Sequence, residues 1–187
     1  MKNININNKI KDIYSHNKYT FWAVVIILFS IIIRLAEFGN IPCGLNQDEA
    51  YAGYEAYSLA NYGMDSSGYR FPCYFVSWGS GMNVLESYLA IPFVKLFGLS
   101  VYTCRLPQLI CASISLPVFY LLLKEMFGER VALTGTFIIA VSPWHIMLSR
   151  WGLESNLAPA FLLFGFYFLV KGVKKNYLWI FAAIMYG

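Results

Sequence analysis

The stretch YTFWAVVIILFSIIIRLAEFGNIPCGLNQDEAY, residues 19–51, decides the fold class and locates a candidate site. It begins with a continuous apolar run, and a helix needs about 20 such residues to cross a membrane. Two adjacent carboxylates, Asp48 and Glu49, follow about 15 residues after this run. An acid pair just outside a bilayer, at the start of a helix-like stretch, indicates a catalytic or ligand site at the membrane surface. The alternative is an exposed loop whose acids keep it in water.

The composition indicates an integral membrane protein. The chain is 58% hydrophobic and 13% charged, whereas soluble domains are about 45–50% apolar and about 25% charged. Residues 1–18 are too polar to contain the apolar core of a signal peptide. They are predicted to form a cytoplasmic tail. The first apolar segment is therefore interpreted as a retained signal anchor.

The apolar segments predict an all-α polytopic membrane protein with about five transmembrane helices. The predicted spans are at about residues 19–38, 101–123, 131–148, 156–170 and 177–187, with an outer loop at 39–100. The last span is incomplete, since its 11 residues cover only about 16 Å at 1.5 Å per residue. We therefore expect a truncated N-terminal portion of a larger domain, inactive in transfer on its own.

The distribution of charge predicts the orientation. With the N-terminus in the cytoplasm, the inner segments hold nine basic and three acidic residues, a net charge of +6. The outer segments hold five basic and seven acidic residues, a net charge of −2, which completes the total of +4. This asymmetry follows the positive-inside rule of multi-pass proteins. The acid pair then faces the extracytoplasmic side of the cell membrane, and the positive charge does not indicate a nucleic-acid partner.

The outer loop contains two predicted amphipathic helices. Asn46 with Glu49 three residues later is typical of an N-cap and its capping-box partner, and the helix should run to about Tyr62. A second helix is predicted at about residues 83–97. Both are expected to lie in the membrane interface; the alternative is a loop packed on other spans. A helix N-terminus stabilises a carboxylate in its first turn, which favours Asp48 over Glu49 for chemistry.

The four cysteines show no metal-ligand spacing. Cys43 and Cys73 lie in the same outer loop and could form a disulfide in an oxidising compartment, or remain free thiols.

Several short motifs follow one another along this topology. They are Arg34-Leu35, Pro42, Asp48-Glu49-Ala50-Tyr51, Trp78, Lys95-Leu96-Phe97-Gly98, Arg105-Leu106-Pro107, Phe127-Gly128, Ser142-Pro143-Trp144-His145 and the segment 149–154, SRWGLE. In this order the chain resembles the GT-C glycosyltransferases, and above all the protein O-mannosyltransferase-like group, glycosyltransferase family 39 with its bacterial relatives.

The resemblance implies a GT-C fold and an inverting sugar transfer at the outer leaflet. The donor would be a polyprenyl-phosphate-linked sugar, and the acceptor a lipid, a glycan or a protein. The first-loop acids supply the catalytic residues, here Asp48 and Glu49, with Asp48 as the base or the group that positions the acceptor.

The resemblance also assigns the donor phosphate to arginine, whose planar fork suits phosphate oxygens. The candidates are Arg150 first, then Arg34 and Arg105. Arg150 could instead be a snorkelling interface anchor, and Arg34 could pair with Glu37 at i, i+3. Glu154, the second acidic candidate, stands where many relatives carry aspartate.

No cofactor is predicted with certainty. Because some relatives bind a divalent cation, His145 is either a metal ligand or a hydrogen-bonded interfacial residue.

The rival class is a non-catalytic membrane scaffold or a fragment of a transporter or flippase. Transporters place ionisable residues near the bilayer midplane and often show inverted repeats, whereas no lysine, arginine or acid of this chain lies in the middle of a predicted span. This favours chemistry at the membrane surface.

Overall fold

The computed structural model describes residues 6–77 and 79–187, with side chains described from residue 18 onward. Trp78, one residue of the resemblance, and most of the predicted tail therefore lie outside the described side chains. Within the described residues the chain forms eight helices and one two-stranded sheet. In chain order they are α1 (Ile6–Leu35), α2 (Gln47–Tyr62), β1 (Tyr74–Ser77), β2 (Ser80–Asn83), α3 (Leu85–Phe97), α4 (Val101–Phe127), α5 (Glu129–Val141), α6 (Pro143–Leu148), α7 (Glu154–Gly172) and α8 (Leu178–Tyr186).

The predicted class, an all-α polytopic membrane protein, is confirmed. Three helical segments of the described chain are long and apolar enough to cross a membrane: Lys18–Leu35 within α1, α4 and α7. The other two predicted spans are also apolar, but their helices are shorter. Helix α5 has 13 residues and α8 has 9.

The predicted span at 131–148 is divided into two helices. Proline lacks an N–H and its ring collides with the preceding turn, so α5 ends at Val141 and α6 begins at Pro143. The Ser142 hydroxyl accepts a hydrogen bond from the His145 N–H (3.5 Å) and caps the new helix. The first helix also differs from the prediction, because it starts at Ile6 within the expected tail.

The two helices predicted in the outer loop are present. Asn46 caps α2 and forms a reciprocal capping box with Glu49, and the helix ends at Gly63, which adopts a left-handed conformation (φ 68°). The second helix, α3, spans Leu85–Phe97. Between them lies an antiparallel hairpin, β1–β2, that the sequence analysis did not predict.

Small side chains bring the outer-loop helices together. Ala56 of α2 packs with Ala90 and Val94 of α3, and the Ser87 hydroxyl donates to the Ala52 carbonyl (2.9 Å). Helix α3 packs in turn on α4. The outer loop is therefore joined to the bundle, and it presents the N-terminus of α2 beside the start of α4.

Candidate functional site

Asp48 lies in the first turn of α2 and its side chain is exposed. It borders a cleft of about 320 Å³ that is also lined by Gln47, Tyr51, Val76 and Ser77. The Tyr51 hydroxyl donates to the Val76 carbonyl (3.3 Å), which ties α2 to the hairpin. An exposed carboxylate beside a cleft, on a helix fixed by neighbouring elements, can accept a proton from a bound molecule.

The neighbouring acid, Glu49, is buried, with 1% of its surface exposed. Its Oε1 accepts hydrogen bonds from Arg105 Nε (2.9 Å) and from the Gly152 N–H (2.8 Å). Its Oε2 accepts from Arg105 Nη2 (3.1 Å) and from the Asn46 N–H (3.2 Å). Glu49 was predicted as a catalytic residue beside Asp48, but this geometry favours a structural role.

Arg105 is fully buried and uses its whole guanidinium within the protein. Besides the two bonds to Glu49, its Nη1 donates to the carbonyls of Pro42 (2.9 Å) and Gly39 (3.5 Å). Its Nη2 also donates to the Gly44 carbonyl (2.6 Å). Arg105 was a candidate for donor phosphate, but this arrangement leaves it no free N–H. The Glu49–Arg105 pair instead holds the 39–44 segment against α4.

The other two candidate arginines lie together at the end of α1. Arg34 is fully buried and donates to the carbonyls of Ser30 (3.0 Å) and Ala140 (3.2 Å). Arg150 is 7% exposed and donates to the Ile33 carbonyl. The two guanidiniums are close enough to repel each other, and the Nε of each has no hydrogen-bond partner among the residues that the structure describes.

Among the described residues neither arginine forms an ion pair within 4 Å of a carboxylate, although the Glu37 charge acts on Arg150 from farther away. The ion pairs among the described residues involve Arg105, Lys124, Lys171 and Lys174 instead. The alternative pairing of Arg34 with Glu37 is wrong, because Arg34 turns towards α5 and α6, while Glu37 accepts a hydrogen bond from Asn40 (2.9 Å). Two buried cations that form no close ion pair among the described residues, with Glu37 acting on Arg150 only at a distance, form a place where an anion would be stabilised.

His145 connects Arg34 to the interior of the bundle. Its Nδ1 lies 2.6 Å from Arg34 Nη2, which can only donate, so the ring proton belongs on Nε2. That nitrogen lies 3.2 Å from the Ser115 hydroxyl. Both ring nitrogens are thus engaged, and the described residues contain no group of three or more His, Cys, Asp or Glu side chains placed to bind a metal ion. The surroundings of His145 do not fit a metal ligand.

Glu154 is the first residue of α7 and lies near Asp48. It is half-buried, accepts a hydrogen bond from the backbone of Asn83, and interacts electrostatically with Asp48. Within the described residues its Oε2 has no hydrogen-bond partner. Since Arg150 precedes it by four residues, the fold brings a predicted base, a second acid and a phosphate candidate to the same end of the helices.

Glu86 is an acidic residue that the sequence analysis did not single out. It is 2% exposed, and neither carboxylate oxygen has a hydrogen-bond partner among the described residues. Burial, and then repulsion from Glu49 and Glu154, raise the pKa of Glu86 to about 8. One signal was available in the sequence: Glu86 is the lone acid in the mainly apolar stretch of α3.

These features define a polytopic helical membrane protein with a cluster of acids and arginines at one end of its helices. The chain belongs to the family described as dolichyl-phosphate-mannose-protein mannosyltransferase, whose profile matches residues 84–187. The predicted resemblance is thereby confirmed. The matched residues include Arg105, Arg150 and Glu154, and they begin after Asp48.

One curated relative is similar to part of the chain. Over 89 residues, 47% of the chain, the sequence is 32% identical to a protein of Bacillus subtilis (strain 168) named "Putative mannosyltransferase YkcB". The match spans 12% of the length of that relative. No solved structure matches the chain significantly.

Proposed function

We propose that this chain forms part of a membrane glycosyltransferase that moves a sugar from a polyprenyl-phosphate carrier to an acceptor hydroxyl, with inversion, on the extracytoplasmic face of the cell membrane. The observation that carries this proposal is the different environment of two adjacent acids. Glu49 is buried and holds the first turn of α2 in place, while Asp48 is exposed at a cleft. The acceptor is a lipid, a glycan or a protein.

In the proposed reaction Asp48 acts as the general base. The acceptor hydroxyl gives its proton to the Asp48 carboxylate as its oxygen forms a bond to the anomeric carbon of the sugar. The bond from that carbon to the phosphate oxygen breaks, and the electron pair leaves with the phosphate. Attack opposite the leaving group inverts the configuration at the anomeric carbon. The position of Asp48 fits this role, because an exposed carboxylate at a cleft can reach an acceptor proton.

The departing phosphate is stabilised by Arg150 together with Arg34. Both are buried, and within the described part of the chain neither forms a close ion pair and each has an Nε without a hydrogen-bond partner. In surroundings of low polarity, cations aimed at a developing negative charge stabilise it more strongly than they would in water. Arg105 is assigned to positioning, because its N–H groups are occupied by Glu49 and by the 39–44 segment.

Substitution of Arg150 tests the phosphate assignment. Arg150→Ala should weaken binding of a labelled polyprenyl-phosphate sugar by roughly 10–100-fold, since hydrogen bonds to charged groups contribute about 1.5–3 kcal/mol. Arg150→Lys keeps the charge but loses the planar fork, so its loss should be smaller but measurable. Binding is measured with the protein in nanodiscs.

The control is Arg70→Ala, which removes an exposed arginine of the outer loop and should leave donor binding unchanged. If both Arg150 variants bind donor like the parent chain, Arg150 is an interface anchor and Arg34 becomes the candidate.

Thiol labelling tests the proposed orientation. Cys43 and Cys73 are exposed free thiols, whereas Cys104 is buried and Cys111 is half-buried. A membrane-impermeant maleimide added to intact cells should label the chain at the first two positions. The Cys43→Ser, Cys73→Ser double variant should lose most of that label. Labelling only after permeabilisation would place this loop, and Asp48 with it, in the cytoplasm.

A further inference from the structure

Glu86 lies at a junction where the site-bearing elements meet. It interacts electrostatically with Glu49 of α2, Glu154 of α7, and Cys104 and Cys111 of α4, and none of these groups is a cation. Arg105, which follows Cys104 and acts on its thiol, already gives two of its nitrogens to Glu49. A charged Glu86 would therefore face two carboxylates with no cation left to compensate it.

The segment 149–153, which joins α6 to α7, passes through this junction at Gly152. The Gly152 N–H donates to Glu49. On its other side, a β-carbon at Gly152 would lie 3.0 Å from the Cys104 carbonyl oxygen and 3.3 Å from Glu86 Oε1. The segment is thus seated between α2, α3 and α4 with little spare room. Arg150 lies two residues before Gly152 and Glu154 two residues after it, so a shift of this glycine would move both.

From this juxtaposition we propose that Glu86 is a positioning residue of the transfer site: as the neutral acid it keeps the 149–153 segment seated, and on ionising it displaces that segment together with Arg150 and Glu154. The inference rests on the proposed function, since it gives the protonation of Glu86 an effect on donor binding. An ionised Glu86 also adds a negative charge near an anionic donor, which weakens binding in the same direction.

The charge of the donor itself does not change over the pH range of the test, because a sugar phosphodiester stays singly charged from pH 6 to pH 9.5. With the pKa of Glu86 near 8, the neutral fraction falls about tenfold per pH unit above that value. Apparent affinity follows the competent fraction, so the wild-type chain should bind donor roughly 30-fold more weakly at pH 9.5 than at pH 7.

The test compares wild type with two neutral variants, Glu86→Gln and Glu86→Leu, which differ in whether a polar group is kept in the buried space. Both are assayed in nanodiscs for binding of a labelled polyprenyl-phosphate sugar between pH 6 and pH 9.5. The variants should lose less than about threefold in affinity over this range, because they cannot ionise there. The control Glu125→Gln, at the far end of α4, should follow the wild-type curve. Neutral variants that also follow the wild-type curve would overturn the proposal.

A readout without donor separates this inference from the proposed function. Amide exchange at Gly152 should be faster in wild type than in Glu86→Gln at pH 9, and equal in the two at pH 6. Intrinsic pH effects on exchange cancel in this ratio. If no donor binds at any pH but the exchange ratio rises with pH, the proposed function fails and the role of Glu86 in seating the segment stands. A ratio that stays at one at both pH values overturns the role of Glu86.

Discussion

Replacing Asp48 with asparagine should lower sugar transfer by roughly 10²–10⁴-fold, the usual loss when a general base is removed. Asparagine has nearly the same shape but cannot accept the acceptor proton as a carboxylate does. Because the Asp48 side chain is exposed and the cap of α2 is made by Asn46 and Glu49, the change should leave folding and membrane insertion intact. The rate of transfer from a polyprenyl-phosphate sugar is measured on the complete enzyme in membranes.

One further variant and one binding measurement sharpen this test. Asp48→Glu keeps a carboxylate on a side chain one methylene longer and should restore part of the activity. Donor binding by Asp48→Asn should remain close to that of the parent, since the phosphate is assigned to arginines. Transfer at a near-normal rate by Asp48→Asn would show that another group accepts the proton.

Breaking the Glu49–Arg105 pair should cost about 3–5 kcal/mol of stability, because removing one member of a buried pair leaves an uncompensated charge. Glu49→Gln abolishes the charge that Arg105 faces, and Arg105→Met leaves Glu49 without its cation. As a capping-box partner alone, Glu49 would contribute only about 1 kcal/mol, the value of a lost helix cap. The buried contacts with Arg105 and Gly152 raise the expected loss of stability. The free energy of unfolding is measured by denaturant titration in detergent.

A double-mutant cycle separates the pair from its surroundings. The Glu49→Gln, Arg105→Met double variant should be less destabilised than the sum of its two single variants, since both charges are removed together. Glu129→Gln is the control, because it disrupts an ion pair with Lys124 (3.1 Å) in which both side chains are partly exposed. Such pairs contribute about 0–1 kcal/mol. Equal costs for Glu49→Gln and Glu129→Gln would refute the structural importance of the buried pair.

The parts of this structure that could be predicted depend on local sequence. The Asn46–Glu49 capping box lies within four residues, and the apolar runs of α1, α4 and α7 are continuous, so each could be identified from the residues alone. Pro143 is also a local signal for the end of a helix, but the apolar residues on both sides of it predict a single span. The hairpin was missed, since its strands have only four residues each.

The roles of the arginines could not be separated from the sequence. Arg34, Arg105 and Arg150 all stand near predicted ends of spans and have the same chemistry. They differ in contacts between distant residues: Arg105 meets Glu49 across 56 positions, and Arg150 meets Ile33 across 117. Glu86 was overlooked for the same reason, because its repulsion by Glu49 and Glu154 arises only when α2, α3 and α7 come together.

The connection between Glu49 and Arg105 has a consequence for how the protein is made. The 39–44 segment and the first turn of α2 are tied by a side chain that is synthesised 56 residues after Glu49. At roughly 5–20 residues per second, this separation corresponds to roughly 3–11 s of translation. Until α4 arrives, the outer loop lacks the guanidinium that occupies its carbonyls and its buried acid. The surface bearing Asp48 can therefore complete its folding only after the start of α4, the second candidate span, has been synthesised.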